Sequence, residues 1–161
     1  MSENIEKARQ LIIDGIDDDL IALSEMRTLL LDERKALENQ DIDSIQSIGQ
    51  RKSELTDVLT LRANQRTEIL SVFNLNNDET GIMELFEGAP RTRIEQSWPE
   101  LKSELIFCQE ANEANRKLAT RARHTIERIL KIVQGKSDKA NIYNPLGNTA
   151  AIISGNLIGE A

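Results

Sequence analysis

The chain has 161 residues, a formal net charge of −7 at pH 7 and an aromatic content of only 3%. This length is most simply that of one domain, and the negative charge argues against general nucleic-acid binding, because neutralising phosphates requires a positive surface. Leu, Ile, Glu, Lys, Arg, Gln and Ala are abundant, a mixture that favours long helices over sheets, so we predict an all-α fold.

Residues 4–38 are predicted to form the first long helix. Apolar residues from Ile5 to Leu23 recur at steps of three and four, and Leu30 and Leu37 follow at steps of seven, a spacing that places all of them on one helix face. The acidic run Asp17-Asp18-Asp19 lies within this pattern and lacks the loop spacing of a calcium site, so we predict that it is solvated surface.

Residues 42–74 are predicted to form the second long helix, with Asp41 as its N-cap. Its seam keeps a spacing close to a heptad repeat: Ile45, Ile48, Lys52, Leu55, Leu59, Arg62, Arg66, Ile69 and Phe73. Because the connection between the first two helices is only a few residues long, they should be antiparallel neighbours.

Residues 81–87 are predicted to form a short helical turn that ends at Gly88-Ala89-Pro90. A third long helix follows, over residues 91–134, and its start has two alternatives. It begins near Arg91, with Pro99 inside it, or it begins at Pro99, because proline is well placed at the first helical position. The three long helices are predicted to form an elongated antiparallel bundle.

The third long helix carries one continuous stripe at steps of three and four: Leu101, Leu105, Cys108, Asn112, Asn115, Leu118, Ala122, Ile126, Ile129 and Val133. Cys108 is predicted to be a small buried hydrophobe. The two asparagines on the stripe have two alternative interpretations, a satisfied contact that sets the register or a place where another chain docks.

Gly135 fits a helix C-cap, and the helical pattern stops there. We therefore predict two parts, a helical bundle domain over residues 1–135 and a flexible C-terminal tail over residues 136–161. The tail contains Asn, Gly, Ser and Pro, and its short apolar patches cannot support a core of their own.

Residues 116–140 contain eight basic and two acidic groups, whereas residues 1–60 contain seven basic and fourteen acidic groups. A solvated face beside acidic helices is favoured over an RNA- or membrane-binding face, because no aromatic stacking residues are interleaved with the cations.

No residues point to catalysis, a metal or a cofactor. The only histidine and the only cysteine, His124 and Cys108, are 16 positions apart on one helix, about 24 Å by helical rise. No signal peptide and no membrane span are predicted, and a soluble cytoplasmic protein is expected.

Taken in order, several residues resemble the FlgN family of flagellar type III export chaperones. Those that carry the resemblance are Leu29, Leu30, Glu33, Arg34, Lys35, Ala36, Leu37, Asp41, Lys52, Leu55, Arg66, Leu70, Trp98, Leu101, Leu105, Cys108, Asn112, Asn115, Tyr143 and Gly147. Arg116 stands where the family often has glycine after the second asparagine.

The resemblance implies a cytosolic chaperone that binds the C-terminal helical segments of hook-associated proteins, prevents their premature assembly and delivers them to the export gate. It also implies that Tyr143, with Ile142 beside it, contacts the cytoplasmic domain of the gate membrane protein. Nucleic-acid binding and direct insertion into a membrane are not expected.

The residues themselves indicate where a partner helix could lie, because anchors at i, i+3, i+4 and i+7 suit a helix in a groove. The candidate cargo-binding residues are Leu118, Ala122, Ile126, Ile129, Leu130 and Val133. Two alternatives stay open: these six residues could be intramolecular core, and the whole protein could be a structural coiled-coil adaptor with no export role.

Overall fold

Four helices make up the computed structural model, which describes residues 2–134: α1 (Ser2–Asn39), α2 (Ile42–Val72), α3 (Glu79–Leu85) and α4 (Thr92–Val133). No strand occurs among those residues, and the predicted all-α fold is confirmed. Helix α4 begins at Thr92 and contains Pro99, so the first of the two predicted starts is right. The Gly135 cap and the tail over residues 136–161 lie outside the described residues.

The chain divides into two compact units, Met1–Arg121 and Ala122–Ala161. The first unit contains α1, α2, α3 and most of α4. Of the second unit only residues 122–134 are described, and residues 122–133 are helical. The predicted division into residues 1–135 and 136–161 stays a prediction.

Ion pairs in the first unit show that α1 and α2 run antiparallel. Near the end of α1, Glu33 accepts from Lys52 Nζ at 2.8 Å, whereas Asp19, nearer its start, accepts from Arg66 at 2.5 Å. Later residues of α2 therefore contact earlier residues of α1, so the two helices run in opposite directions. The short connection between them predicts this arrangement.

Helix α4 runs parallel to α1 within the same unit. Arg93 bonds Asp17, and further along both helices Asn115 Nδ2 donates to the backbone oxygen of Leu30 at 2.8 Å. Between these points Arg27 pairs with Glu104 through two bonds of 2.9 and 2.7 Å. The unit is therefore an up–down–up bundle of three long helices.

The core of the bundle consists of aliphatic side chains on the facing stripes, with one aromatic ring just after α3. Its most buried hydrophobic members are Ile12, Ile16, Leu23, Leu30, Leu70, Ile82, Ile94, Leu101 and Phe86. Arg9 fixes this end of the bundle, because its guanidinium donates to the backbone oxygens of Leu85 and Glu87, each at 2.8 Å.

Two helix starts are capped by aspartate, as predicted for Asp41. Its side chain accepts from the backbone N–H of Ser44 at 3.1 Å and from the Ser44 hydroxyl at 2.6 Å. These hydrogen bonds to the charged carboxylate lower the pKa of Asp41. Asp78 caps α3 in the same way through the N–H of Gly81 at 3.0 Å.

The acidic run in α1 is divided among three environments, and the prediction that it is solvated surface was wrong for Asp19. Only 1% of Asp19 is exposed, and its two carboxylate oxygens accept from Arg62 and Arg66, each at 2.5 Å. Asp18 is exposed, and Asp17 bonds Arg93. A buried carboxylate is tolerated here because two guanidinium groups replace its water.

Two helical glycines should respond oppositely to alanine. A Cβ at Gly15 in α1 meets nothing within 4 Å, whereas a Cβ at Gly81 in α3 collides with the backbone of Asn76. We expect Gly15→Ala to raise the free energy of unfolding by about 1 kcal/mol through helix propensity. Gly81→Ala should lower it, because the backbone must shift. Urea denaturation of both variants measures the difference, and a loss of stability in Gly15→Ala would contradict the open environment.

Candidate partner-binding surface

One face of α4 carries the predicted stripe, and in its first half every second stripe residue is buried in the bundle. Leu101, Cys108 and Asn115 are each less than one-tenth exposed, at steps of seven that return to the same helix face. The Cys108 thiol lies 3.8 Å from the backbone oxygen of Leu23, and burial raises its pKa. The prediction of a small buried hydrophobe at Cys108 is confirmed.

The two asparagines on the stripe have partners within the bundle. Asn115 Nδ2 donates to the Leu30 oxygen at 2.8 Å and to Glu33 Oε2 at 2.9 Å. Asn112 Oδ1 accepts from Lys52 Nζ at 2.8 Å, and the same ammonium pairs with Glu33. This network links α1, α2 and α4. The structure therefore favours the interpretation that the asparagines set the register of the helices over the interpretation that another chain docks on them.

Beyond Asn115 the stripe continues but loses its cover. Leu118 is half-buried, and from Arg121 to the end of the described residues every position is exposed. Four of the predicted cargo-binding residues are large aliphatic side chains that are each half or more exposed: Ile126, Ile129, Leu130 and Val133. Ala122 lies on the same face by helical phase. We call residues 122, 126, 129, 130 and 133 the exposed stripe.

Cations line the rest of this part of α4. Residues 116–134 contain six basic groups and one acidic group. Arg116 and Lys117 pair with Glu113 at 2.8 and 3.6 Å, which lowers the pKa of that carboxyl, and Arg123 lies 3.6 Å from Glu127. The surface therefore combines an apolar stripe with positively charged edges.

Ile132 is a further exposed apolar residue of α4 that does not belong to the predicted stripe. Its side chain is 69% exposed, but it lies six positions after Ile126, about 120° away around the helix. The periodicity that defines the exposed stripe leaves it on the flank.

The predicted gate-contacting residues Ile142 and Tyr143 lie outside the described residues, so their role stays a prediction. Among residues 2–134, no group of three or more His, Cys, Asp and Glu side chains could hold a metal ion. His124 is exposed and lies 3.4 Å from Glu127 on its own helix. In the described part of the chain, no helix meets the length and hydropathy needed to cross a membrane.

A comparison with models of protein families gives a match. The family model described as FlgN protein matches residues 2–151 of the chain. No curated protein and no solved structure gives a significant match.

Proposed function

The chain belongs to the FlgN family of flagellar export chaperones, and from this premise we propose that it binds the C-terminal helical segments of hook-associated proteins in the cytosol. Holding those segments prevents premature assembly, and the complex is then delivered to the export gate. The family is one of chaperones and not of enzymes, so binding rather than catalysis is the activity to be explained.

The observation that carries the proposal is the exposed stripe. Four large aliphatic side chains over about two turns of α4 are each half or more exposed. Fully burying a side chain of this size contributes about 1.5–3 kcal/mol, and here half or more of that contribution is still to be gained. Contiguous exposed apolar surface of this kind typically marks an interaction site. An amphipathic helix is a suitable partner because its own anchors can interleave with residues at i, i+3, i+4 and i+7.

The cationic edges of the stripe add specificity to this proposal. Arg128 and Lys131 flank the apolar residues, and neither has an ion-pair partner within residues 2–134. A cargo helix with acidic residues beside its apolar face would gain electrostatic complementarity and a faster association rate. We therefore expect complex formation to weaken as salt is raised.

The proposal is tested by measuring the mass of the complex. The full chain is mixed with a purified hook-associated protein, and the mixture is analysed by multi-angle light scattering after size-exclusion chromatography. A new species with the summed mass is expected, and it should be lost when the C-terminal helical segment of the cargo is deleted. A coiled-coil adaptor without an export role would give no such species.

Delivery to the gate is assigned to the segment after α4, through Ile142 and Tyr143. An aromatic side chain next to a proline-containing segment makes a large contact with few rotors to order. Tyr143→Ala should leave thermal stability and cargo binding unchanged and weaken binding to the cytoplasmic domain of the gate protein by at least about tenfold. Calorimetry on the cargo-loaded chaperone measures this, and equal affinity for both forms would rule out the role of Tyr143.

A further inference from the structure

A groove runs between α1 and α2 in the first unit, away from α4. Its volume is about 430 Å³, and its lining residues are Leu11, Gly15, Arg62, Gln65, Arg66, Glu68, Ile69 and Val72. We call it the α1–α2 groove. It takes no part in the cargo site proposed above.

The groove presents apolar rather than cationic surface. Leu11 is 51% exposed and Val72 is 75% exposed, and Gly15 adds open space because a Cβ there meets nothing within 4 Å. The two arginines are mostly buried and point to Asp19, which accepts from both. Their positive charges are thus largely neutralised by Asp19 inside the protein.

The exposed edges of the groove are acidic. Glu68 lines it, and Asp14 and Asp18 follow Leu11 and Gly15 by three positions, so they are their neighbours on the helix surface. None of these three carboxylates has an ion pair within residues 2–134. Lys7 lies one turn before Leu11 and adds one positive charge to these edges. The three carboxylates and Lys7 together have a net charge of −2.

The exposed stripe of α4 has the complementary chemistry. It is apolar along its centre, and its edges carry Arg123, Arg128 and Lys131. Residues 122–133 are about 18 Å long as a helix, and the α2 wall of the groove from Arg62 to Val72 is about 17 Å long. Length and charge therefore match.

We propose that in the absence of cargo two copies of the chain associate, with the exposed stripe of each copy lying in the α1–α2 groove of the other. Each copy supplies one groove and one stripe, and we assign a twofold dimer because two such contacts then cover both stripes. Cargo and the second copy compete for the same stripe. The dimer thus covers the apolar surface until cargo displaces it, and raised salt weakens it.

Sedimentation equilibrium of the full chain over a concentration series tests the dimer. Gly15→Leu places a side chain in the groove at a position where a Cβ meets nothing within 4 Å, and we expect it to raise the dimer dissociation constant by at least about tenfold. Gly49→Leu is the matched control, because Gly49 is the other open glycine of the two long helices α1 and α2 and lines a different groove between α2 and α4. It should dimerise as the natural chain does.

Ile129→Asp provides a second test, since it places a carboxylate on the stripe opposite the acidic edges. The Ile129→Asp variant should be monomeric and should keep the helical circular dichroism of the natural chain. If Gly15→Leu fails to fold, this variant alone tests the dimer. A natural chain that is monomeric at every concentration overturns the proposal, as does dimerisation unchanged by a folded Gly15→Leu or by Ile129→Asp. A monomer that binds cargo normally refutes the dimer and leaves the proposed function intact.

Discussion

Asp19→Ala is expected to lower the free energy of unfolding by about 3–5 kcal/mol, the cost of breaking a buried charge network. The carboxylate is 1% exposed and accepts from Arg62 and Arg66 at 2.5 Å each. Those arginine side chains are only 19% and 13% exposed. Removing the one anion leaves two guanidinium groups facing each other without a counterion, and each is too far buried to be fully hydrated.

Asp18→Ala is the matched control for this prediction. Asp18 is the adjacent acidic residue and is exposed, and its contact with Arg62 uses the backbone oxygen, which the substitution keeps. It should change stability by no more than about 0.5 kcal/mol. Urea denaturation of both variants provides the comparison. If Asp19→Ala lost as little stability as Asp18→Ala, Asp19 would have to be hydrated in solution.

Ile126→Asp is expected to weaken cargo binding by at least about 2 kcal/mol, or roughly thirtyfold. Ile126 is 55% exposed in the free protein, so an aspartate there is hydrated and the fold should persist. In the complex that carboxylate would lie among apolar anchors without a partner, and burying it is costly. The measurement is calorimetry with the C-terminal helical segment of a hook-associated protein.

Ile132→Asp is the control for the cargo prediction. The residue type, the helix and the charge change are the same, and Ile132 is 69% exposed, but it lies about 120° from Ile126 around α4. Its effect on cargo affinity should be less than about threefold. Circular dichroism must show both variants helical. Equal losses in the two variants would indicate a general charge effect rather than a defined stripe.

The helices could be predicted from the sequence because apolar periodicity and capping residues are local signals. The start of α4 could not be decided locally, since Arg91 and Pro99 both offer acceptable beginnings. The decision comes from tertiary packing: Ile94 and Ser97, which precede Pro99, are buried in the bundle. Burying the first turn of α4 compensates for the hydrogen bond that the proline ring cannot make.

The environment of Asp19 was missed although a signal for it existed. The predicted seam of α2 contained Arg62 and Arg66, and cations on a buried seam require an anion on the neighbouring helix. Consecutive acidic residues in α1 were interpreted as one solvated run, but successive helical residues point in directions about 100° apart. Asp19 therefore faces α2 while Asp18 faces water.

The sequence predicts which residues of α4 share the candidate binding face, but it does not predict which of those residues are exposed. Periodicity alone places Asn115 and Ile126 on one stripe of α4, because the pattern does not change along the helix. Whether a stripe residue is covered depends on which other elements pack against it, and that is a tertiary property. Asn115 is buried and bonded to Leu30 and Glu33, whereas Ile126 is exposed.

Amide hydrogen exchange of the full chain, with and without a bound hook-associated protein, tests most directly whether the exposed stripe holds cargo. The amides of residues 122–133 are predicted to gain the largest protection when cargo binds the monomeric chain, because that part of α4 has no cover within its own chain. Amides around Cys108, which is buried in the bundle, should change little. A complex in which residues 122–133 exchange as fast as in the free protein, while another surface becomes protected, would contradict the assignment.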